Sequence, residues 1–109
     1  MLNVAVLVSG GGTNLQALLD SEARGENPNG KITLVVASKP GVYALERAAK
    51  AGVEGVVVRR KDYATSEAFD AALLETLKSH NINLVVLAGF LSVLGPSVIE
   101  AYPRRILNV

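Results

Sequence analysis

Residues 2–15, Leu-Asn-Val-Ala-Val-Leu-Val-Ser-Gly-Gly-Gly-Thr-Asn-Leu, pass from an aliphatic run through three glycines into a segment of helical spacing. Leu2–Val8 is rich in Val and Leu without polar alternation, the pattern of a strand covered on both faces. Beyond the glycines, Leu15, Leu18, Leu19 and Ala23 recur at i, i+3, i+4 and i+8, as on one face of a helix. A buried strand feeding a helix through a tight loop opens a βαβ unit, which predicts a parallel sheet with right-handed crossovers.

The alternation continues along the chain. Aliphatic runs return at Ile32–Ala37, Gly55–Val58, Leu84–Ala88 and Arg105–Val109, each reading as a buried strand. Between them Leu45, Ala48, Ala49 and Gly52 give a second helix, and Phe69, Leu73 and Leu77 a third, with Thr65 or Ser66 as N-cap. Arg24–Lys31, with its Gly, Asn and Pro, reads as a loop. The expected architecture is a doubly wound, mainly parallel α/β fold in three layers, Rossmann-like, as one domain over 1–109. Ile106–Val109 reads as a fifth buried strand without a turn signal after it. The expectation is therefore the front part of a longer fold, the alternative being an edge strand that ends a five-stranded domain.

The balance of charge narrows the partners. Eleven Lys and Arg face ten Asp and Glu, a formal charge of +1, so no broad field exists to hold nucleic acid or a membrane surface, and any anion needs a local site. The chain has no cysteine, which excludes disulfides, thiolate catalysis and thiolate metal sites. No Lys or Arg precedes the first apolar run, and no run approaches the roughly 18–20 residues that span a bilayer. A soluble, cytoplasmic protein is expected.

Ser9-Gly10-Gly11-Gly12-Thr13-Asn14 carries the clearest chemistry. Glycines let the backbone approach a ligand, and the free N–H groups of a helix N-terminus favour an anion such as phosphate. The Thr13 hydroxyl can donate to it, and Asn14 can donate its amide or cap the helix. A Walker loop requires Lys where Thr13 stands, so nucleoside triphosphate hydrolysis is disfavoured. A dinucleotide fingerprint requires glycine where Leu15 stands and an acid after the second strand, where Ser38-Lys39-Pro40 occurs. NAD is disfavoured too, and NADP survives through Lys39 as the alternative reading, a dinucleotide-binding module. A second stretch, Val85–Pro96, runs from a strand into an apolar loop suited to a flat ligand, the alternative being an ordinary strand-to-helix connection packed in the core. Asn108 is an amide within an apolar run, either a structural hydrogen-bonding residue or an oxyanion donor. His80 reads as a cation at a helix C-terminus, and Arg59-Arg60-Lys61 and Arg104-Arg105 as solvated strand ends.

Together, VAVLVSGGGTNLQALLD (Val4–Asp20), ASKPGVYALERAAKAG (Ala37–Gly52), VVLAGFLSVLGPSVI (Val85–Ile99) and RRILNV (Arg104–Val109) resemble the phosphoribosylglycinamide formyltransferases, folate-dependent enzymes of purine synthesis. The resemblance implies transfer of a formyl group from 10-formyltetrahydrofolate, as co-substrate, to glycinamide ribonucleotide, with no metal. Gly12, Thr13 and Asn14 match the segment that holds the substrate phosphate, and Leu91, Ser92, Val93 and Leu94 the segment lining the folate pocket. Asn108 matches the catalytic asparagine. The family's histidine follows two residues later, beyond Val109, so residues 1–109 alone are expected to lack turnover. Many relatives carry a folate-contacting arginine at the position of Ser66, and often another at that of Ser92, and a hydroxyl cannot supply that charge. The implied partners are the two small molecules, with a homodimer as a further candidate.

Overall fold

The computed structural model describes residues 1–26 and 28–109; Asn27, inside the loop expected at Arg24–Lys31, lies outside the described residues. The chain runs β1 (Leu2–Val8), α1 (Thr13–Ala23), β2 (Gly30–Ala37), α2 (Tyr43–Lys50), β3 (Glu54–Val57), a 3₁₀ turn (Arg60–Asp62), α3 (Ser66–Ser79), β4 (Leu84–Leu87), α4 (Pro96–Ala101) and β5 (Ile106–Asn108). The five strands form one sheet in the order β3-β2-β1-β4-β5, with every neighbouring pair parallel. This is the expected doubly wound α/β architecture.

Side chains alternate across the pleat, so β1 feeds two cores. Val4, Val6 and Val8 pack with Leu15 and Leu19 of α1 and Ala44 and Ala48 of α2. Ala5 and Leu7 face the other way, onto Phe69, Leu73 and Leu77 of α3 and Val98 of α4. Each fully buried Leu or Phe contributes about 1.5–3 kcal/mol. A bulge adjusts β2 to this pattern: Val4 pairs with Ile32 but Ala5 with Leu34. The extra residue, Thr33, puts Ile32 and Leu34 on opposite faces of the sheet.

The third helix begins as expected, with the Thr65 hydroxyl accepting the Ala68 N–H at 3.1 Å. Several expectations need correction. β3 and β5 are not buried on both faces but lie at the two edges of the sheet, largely exposed. Among the described residues no strand pairs with their outer edges, and α1 and α2 pack over β1 and β2 rather than β5, leaving Leu107 half exposed. The buried stripe of α2 is Ala44, Leu45 and Ala48; Ala49 faces solvent, and Gly52 lies past the helix end at φ +74°. Ala23, at the last turn of α1, is also exposed. The short helix α4 follows the β4 loop directly; Pro96 starts it at a position where a missing N–H costs nothing.

Candidate functional site

In the order β3-β2-β1-β4-β5 the connections leave β1 toward one side and return to β4 on the other. Parallel α/β sheets bind ligands at that reversal, outside the carboxyl ends of the strands. Two loops meet there: Ser9–Gly12 after β1 and Ala88–Gly95 after β4.

One hydroxyl joins them. Ser9, 5% exposed, accepts the Leu91 N–H at 2.8 Å and the Ser38 hydroxyl at 2.7 Å. The loops after β1, β2 and β4 are thus tied at a single oxygen. A buried hydroxyl in such a place requires these partners, and each bond is worth about 0.5–1.5 kcal/mol net.

The glycines differ in role. Gly12 is the N-cap of α1 at φ +81°, a left-handed conformation, and a Cβ there would lie 2.8 Å from the Ala44 Cβ. Gly10 and Gly11 are exposed and a Cβ on either would meet nothing within 4 Å. Arg47 Nε donates to the Gly11 carbonyl at 2.8 Å, and its Nη1 to Gln16 Oε1 at 3.2 Å. A trans peptide sets its C=O and N–H in opposite directions, so the Gly12 N–H faces away from Arg47. Arg47 is itself stacked on Tyr43, 4.7 Å from the ring centroid.

Thr13 and Asn14 follow as the first exposed helical residues, without a side-chain cap and without an acid in the first turn. Asn14 therefore does not cap the helix, because Gly12 holds that position. The N-terminal N–H groups and the positive end of the helix are left for an anion.

The β4 loop is pinned at both ends. The Ala88 N–H donates to the Leu7 carbonyl at 2.9 Å. At the far end Asp70, 3% exposed, accepts the Gly95 N–H at 3.0 Å and the Ser97 N–H at 2.8 Å. A Cβ on Gly95 would lie 2.6 Å from the Asp70 carboxylate, so only glycine admits this approach. Phe90 and Leu94 pack against the core, while Leu91 and Val93 project 79% and 85% exposed, with Ser92 half-buried between them. A loop pinned at both ends and holding two bare apolar side chains can receive a flat apolar ligand.

Asn108 was expected among buried apolar residues; it is exposed, because β5 is an edge strand. Its register neighbour is Leu87, just before the β4 loop, which sets its amide at the same carboxyl edge. Ser66 opens α3, also at that edge, and is exposed. It makes no hydrogen bond to Leu91–Leu94 among the described residues. His80 lies at the opposite edge, where its Nε2 meets Glu54 Oε2 at 3.0 Å and its Nδ1 the Thr76 carbonyl at 2.7 Å. The hydrogen bond to Glu54, then that to Thr76, raises its pKa above 6.5. Among the described residues no three His, Asp or Glu side chains gather as metal ligands. No helix there is long and apolar enough to cross a membrane.

Ser9, Asp70 and Arg47 were missed by sequence reasoning. Asp70 left a signal: with Leu73 and Leu77 it falls at i, i+3 and i+7, a carboxylate on an apolar stripe.

Comparison with known proteins agrees with this geometry. Residues 2–109 match the family model described as formyl transferase. The chain is 43% identical over 107 residues to the trifunctional purine biosynthetic protein adenosine-3 of Chironomus tentans, covering 97% of this chain and 8% of that protein. It is 37% identical over 109 residues to the phosphoribosylglycinamide formyltransferase of Haemophilus influenzae, covering 100% of this chain and 51% of that one. It superimposes on glycinamide ribonucleotide transformylase 1 of Symbiobacterium toebii with a TM-score of 0.94 at 42% identity, covering 99% of this chain and 50% of that one. The chain thus spans about half the length of these Haemophilus influenzae and Symbiobacterium toebii relatives. Its sheet, its glycine loop and its match over residues 2–109 place the chain in the formyl transferase family.

Proposed function

We propose that this chain supplies the substrate-phosphate site and part of the folate site of a phosphoribosylglycinamide formyltransferase. The observation that carries the reading is the uncapped N-terminus of α1, tied through Ser9 to the apolar Leu91–Leu94 loop at the switch point of the sheet. Backbone N–H groups at Gly12, Thr13 and Asn14 receive the phosphate of glycinamide ribonucleotide. Leu91, Ser92, Val93 and Leu94 border the folate, and Ser66, lacking the arginine's charge, adds at most a hydroxyl.

In the reaction the substrate amine attacks the formyl carbon of 10-formyltetrahydrofolate, forming a C–N bond and a tetrahedral oxyanion. The Asn108 amide donates to that oxyanion, a role worth about 10²–10³ in rate. Collapse breaks the bond to N10, which takes up the proton released by the amine. The proton needs a relay, and His80, engaged with Glu54 at the other edge, is not placed to serve. A missing general acid–base group costs about 10²–10⁴. Residues 1–109 alone are therefore proposed to bind without appreciable turnover, in the cytoplasm, with small-molecule partners. Sedimentation tests for a homodimer.

Titration with glycinamide ribonucleotide, followed by amide NMR shifts, tests the reading. Shifts centred on residues 10–14 are expected, with no saturation by NADPH. Saturation by NADPH without a response to glycinamide ribonucleotide would instead establish the dinucleotide module.

A further inference from the structure

Arg47, on α2, reaches across to the start of α1 and holds it at two points. Its Nε donates to the Gly11 carbonyl at 2.8 Å and its Nη1 to Gln16 Oε1 at 3.2 Å. These acceptors stand on either side of the first helical turn, whose opening backbone bond runs from the Gln16 N–H to the Gly12 carbonyl at 2.8 Å. A guanidinium fork spans such a pair in one fixed orientation, whereas a lysine ammonium has no fixed fork.

The fork is itself held from behind. Gln16 Nε2 donates to Asp20 Oδ1 at 2.9 Å, which turns Gln16 Oε1 toward Arg47. The Tyr43 ring stacks on the guanidinium, 4.7 Å away. The arginine stem also runs close to Gly12, where a Cβ would lie 3.4 Å from Arg47 Cδ. Among the described residues no carboxylate pairs with Arg47, so ion pairing does not account for its placement.

The effect falls on the other side of one peptide plane. With the Gly11 carbonyl held toward Arg47, the Gly12 N–H points the opposite way. A left-handed Gly12 followed by helical Thr13 turns successive N–H groups around one concavity, a backbone nest for an anion. Rotation of the Gly11–Gly12 peptide would remove the first donor of that nest. We infer that Arg47 is a positioning residue for the substrate phosphate: it holds the Gly11–Gly12 peptide from behind the loop and touches no atom of the ligand. The inference rests on the phosphate reading given above.

Amide NMR titration with glycinamide ribonucleotide tests it, on the unaltered chain and on Arg47→Lys, Arg47→Met and Lys50→Met. Both Arg47 variants are expected to bind about tenfold more weakly, the loss that fits one charge-assisted hydrogen bond. Lys50→Met removes a charge one helical turn away and should change affinity by less than about twofold. In the ligand-free Arg47 variants the Gly11 carbonyl carbon and Gly12 amide signals should move, while those of Leu19 stay in place. Wild-type affinity in Arg47→Lys beside a loss in Arg47→Met would show that charge alone acts, and wild-type affinity in both that the peptide needs no support; either overturns the inference. Should the Arg47 variants fail to fold, Gln16→Met, which frees one arm of the fork, should still weaken binding severalfold, and unchanged affinity there overturns it. If the amides of residues 12–14 in the unaltered chain do not respond to the ribonucleotide, the phosphate reading falls and takes the inference with it. An equal response in every protein leaves that reading standing and the inference wrong.

Discussion

The hydroxyl of Ser9 accepts the backbone N–H of Leu91 at 2.8 Å, joining the loop after β1 to the loop after β4 across 82 residues of sequence. Ser38 donates to the same oxygen. Replacing Ser9 by alanine leaves both donors without this acceptor, at a cost of about 1–3 kcal/mol. Chemical denaturation should show the loss, and hydrogen exchange at the Leu91 amide should speed up relative to the core of β1. An unchanged exchange rate would mean that the loop is held in place by packing.

Gly12 and Gly10 should respond differently to alanine. At Gly12 the new Cβ meets Ala44 at 2.8 Å from a backbone at φ +81°, and we expect a loss of about 1–3 kcal/mol together with weakened phosphate binding. At Gly10 the Cβ meets nothing within 4 Å, and stability should move by no more than about 0.5 kcal/mol. Paired melts of the two variants, with phosphate titrations, decide it.

Asp70→Ala removes the acceptor for two N–H groups at the start of α4. The expected cost is about 2–4 kcal/mol, above an ordinary surface change, because the carboxylate is buried. Asp70→Asn keeps one oxygen and should recover part of the loss. Urea midpoints of the three proteins give the order.

The pair His80–Glu54 makes stability depend on pH in a definite direction. The raised folded-state pKa of His80 means that its contribution is complete below the unfolded value, near 6.5, and declines as pH rises through the folded value. His80→Gln should flatten the stability profile in that window and leave ligand binding unaltered, since the pair sits at the opposite edge from the loops. Denaturation between about pH 5 and 8 is the measurement.

Asn108→Ala should be nearly silent in stability, within about 0.5 kcal/mol, because the side chain is exposed on an edge strand. In a chain carrying the rest of the relatives' length, the same change should lower kcat by about 10²–10³ with little effect on KM. A KM effect alone would assign Asn108 to binding.

Leu2–Val8 was legible to the residue because β1 is covered on both faces, so its pattern carries no ambiguity. Gly55–Val58 and Arg105–Val109 have the same aliphatic character, yet they lie at the edges. Edge position depends on which strands come to lie alongside, and a local run does not encode that. The same limit hid the exposure of Asn108. The face of α2 was misjudged by one residue because Ala44 is held inward by the close approach of Gly12, a contact across the fold. The glycine turn into α1 could be read early because its glycines and the helix start are local. The partners of Ser9 and Asp70 could not be read, since they lie 82 and 25 residues away, although Asp70 itself stands out as a carboxylate on an apolar stripe.

The strand order has a consequence for synthesis. β1 emerges first and finds β2 soon afterwards, but its other neighbour is β4, which begins at Leu84. At about 5–20 residues per second, that edge waits on the order of 4–16 s during translation. It presents Val-Ala-Val-Leu, an aliphatic row open to pairing with any other extended chain. The strand at the centre of the finished sheet is the vulnerable edge of the unfinished one.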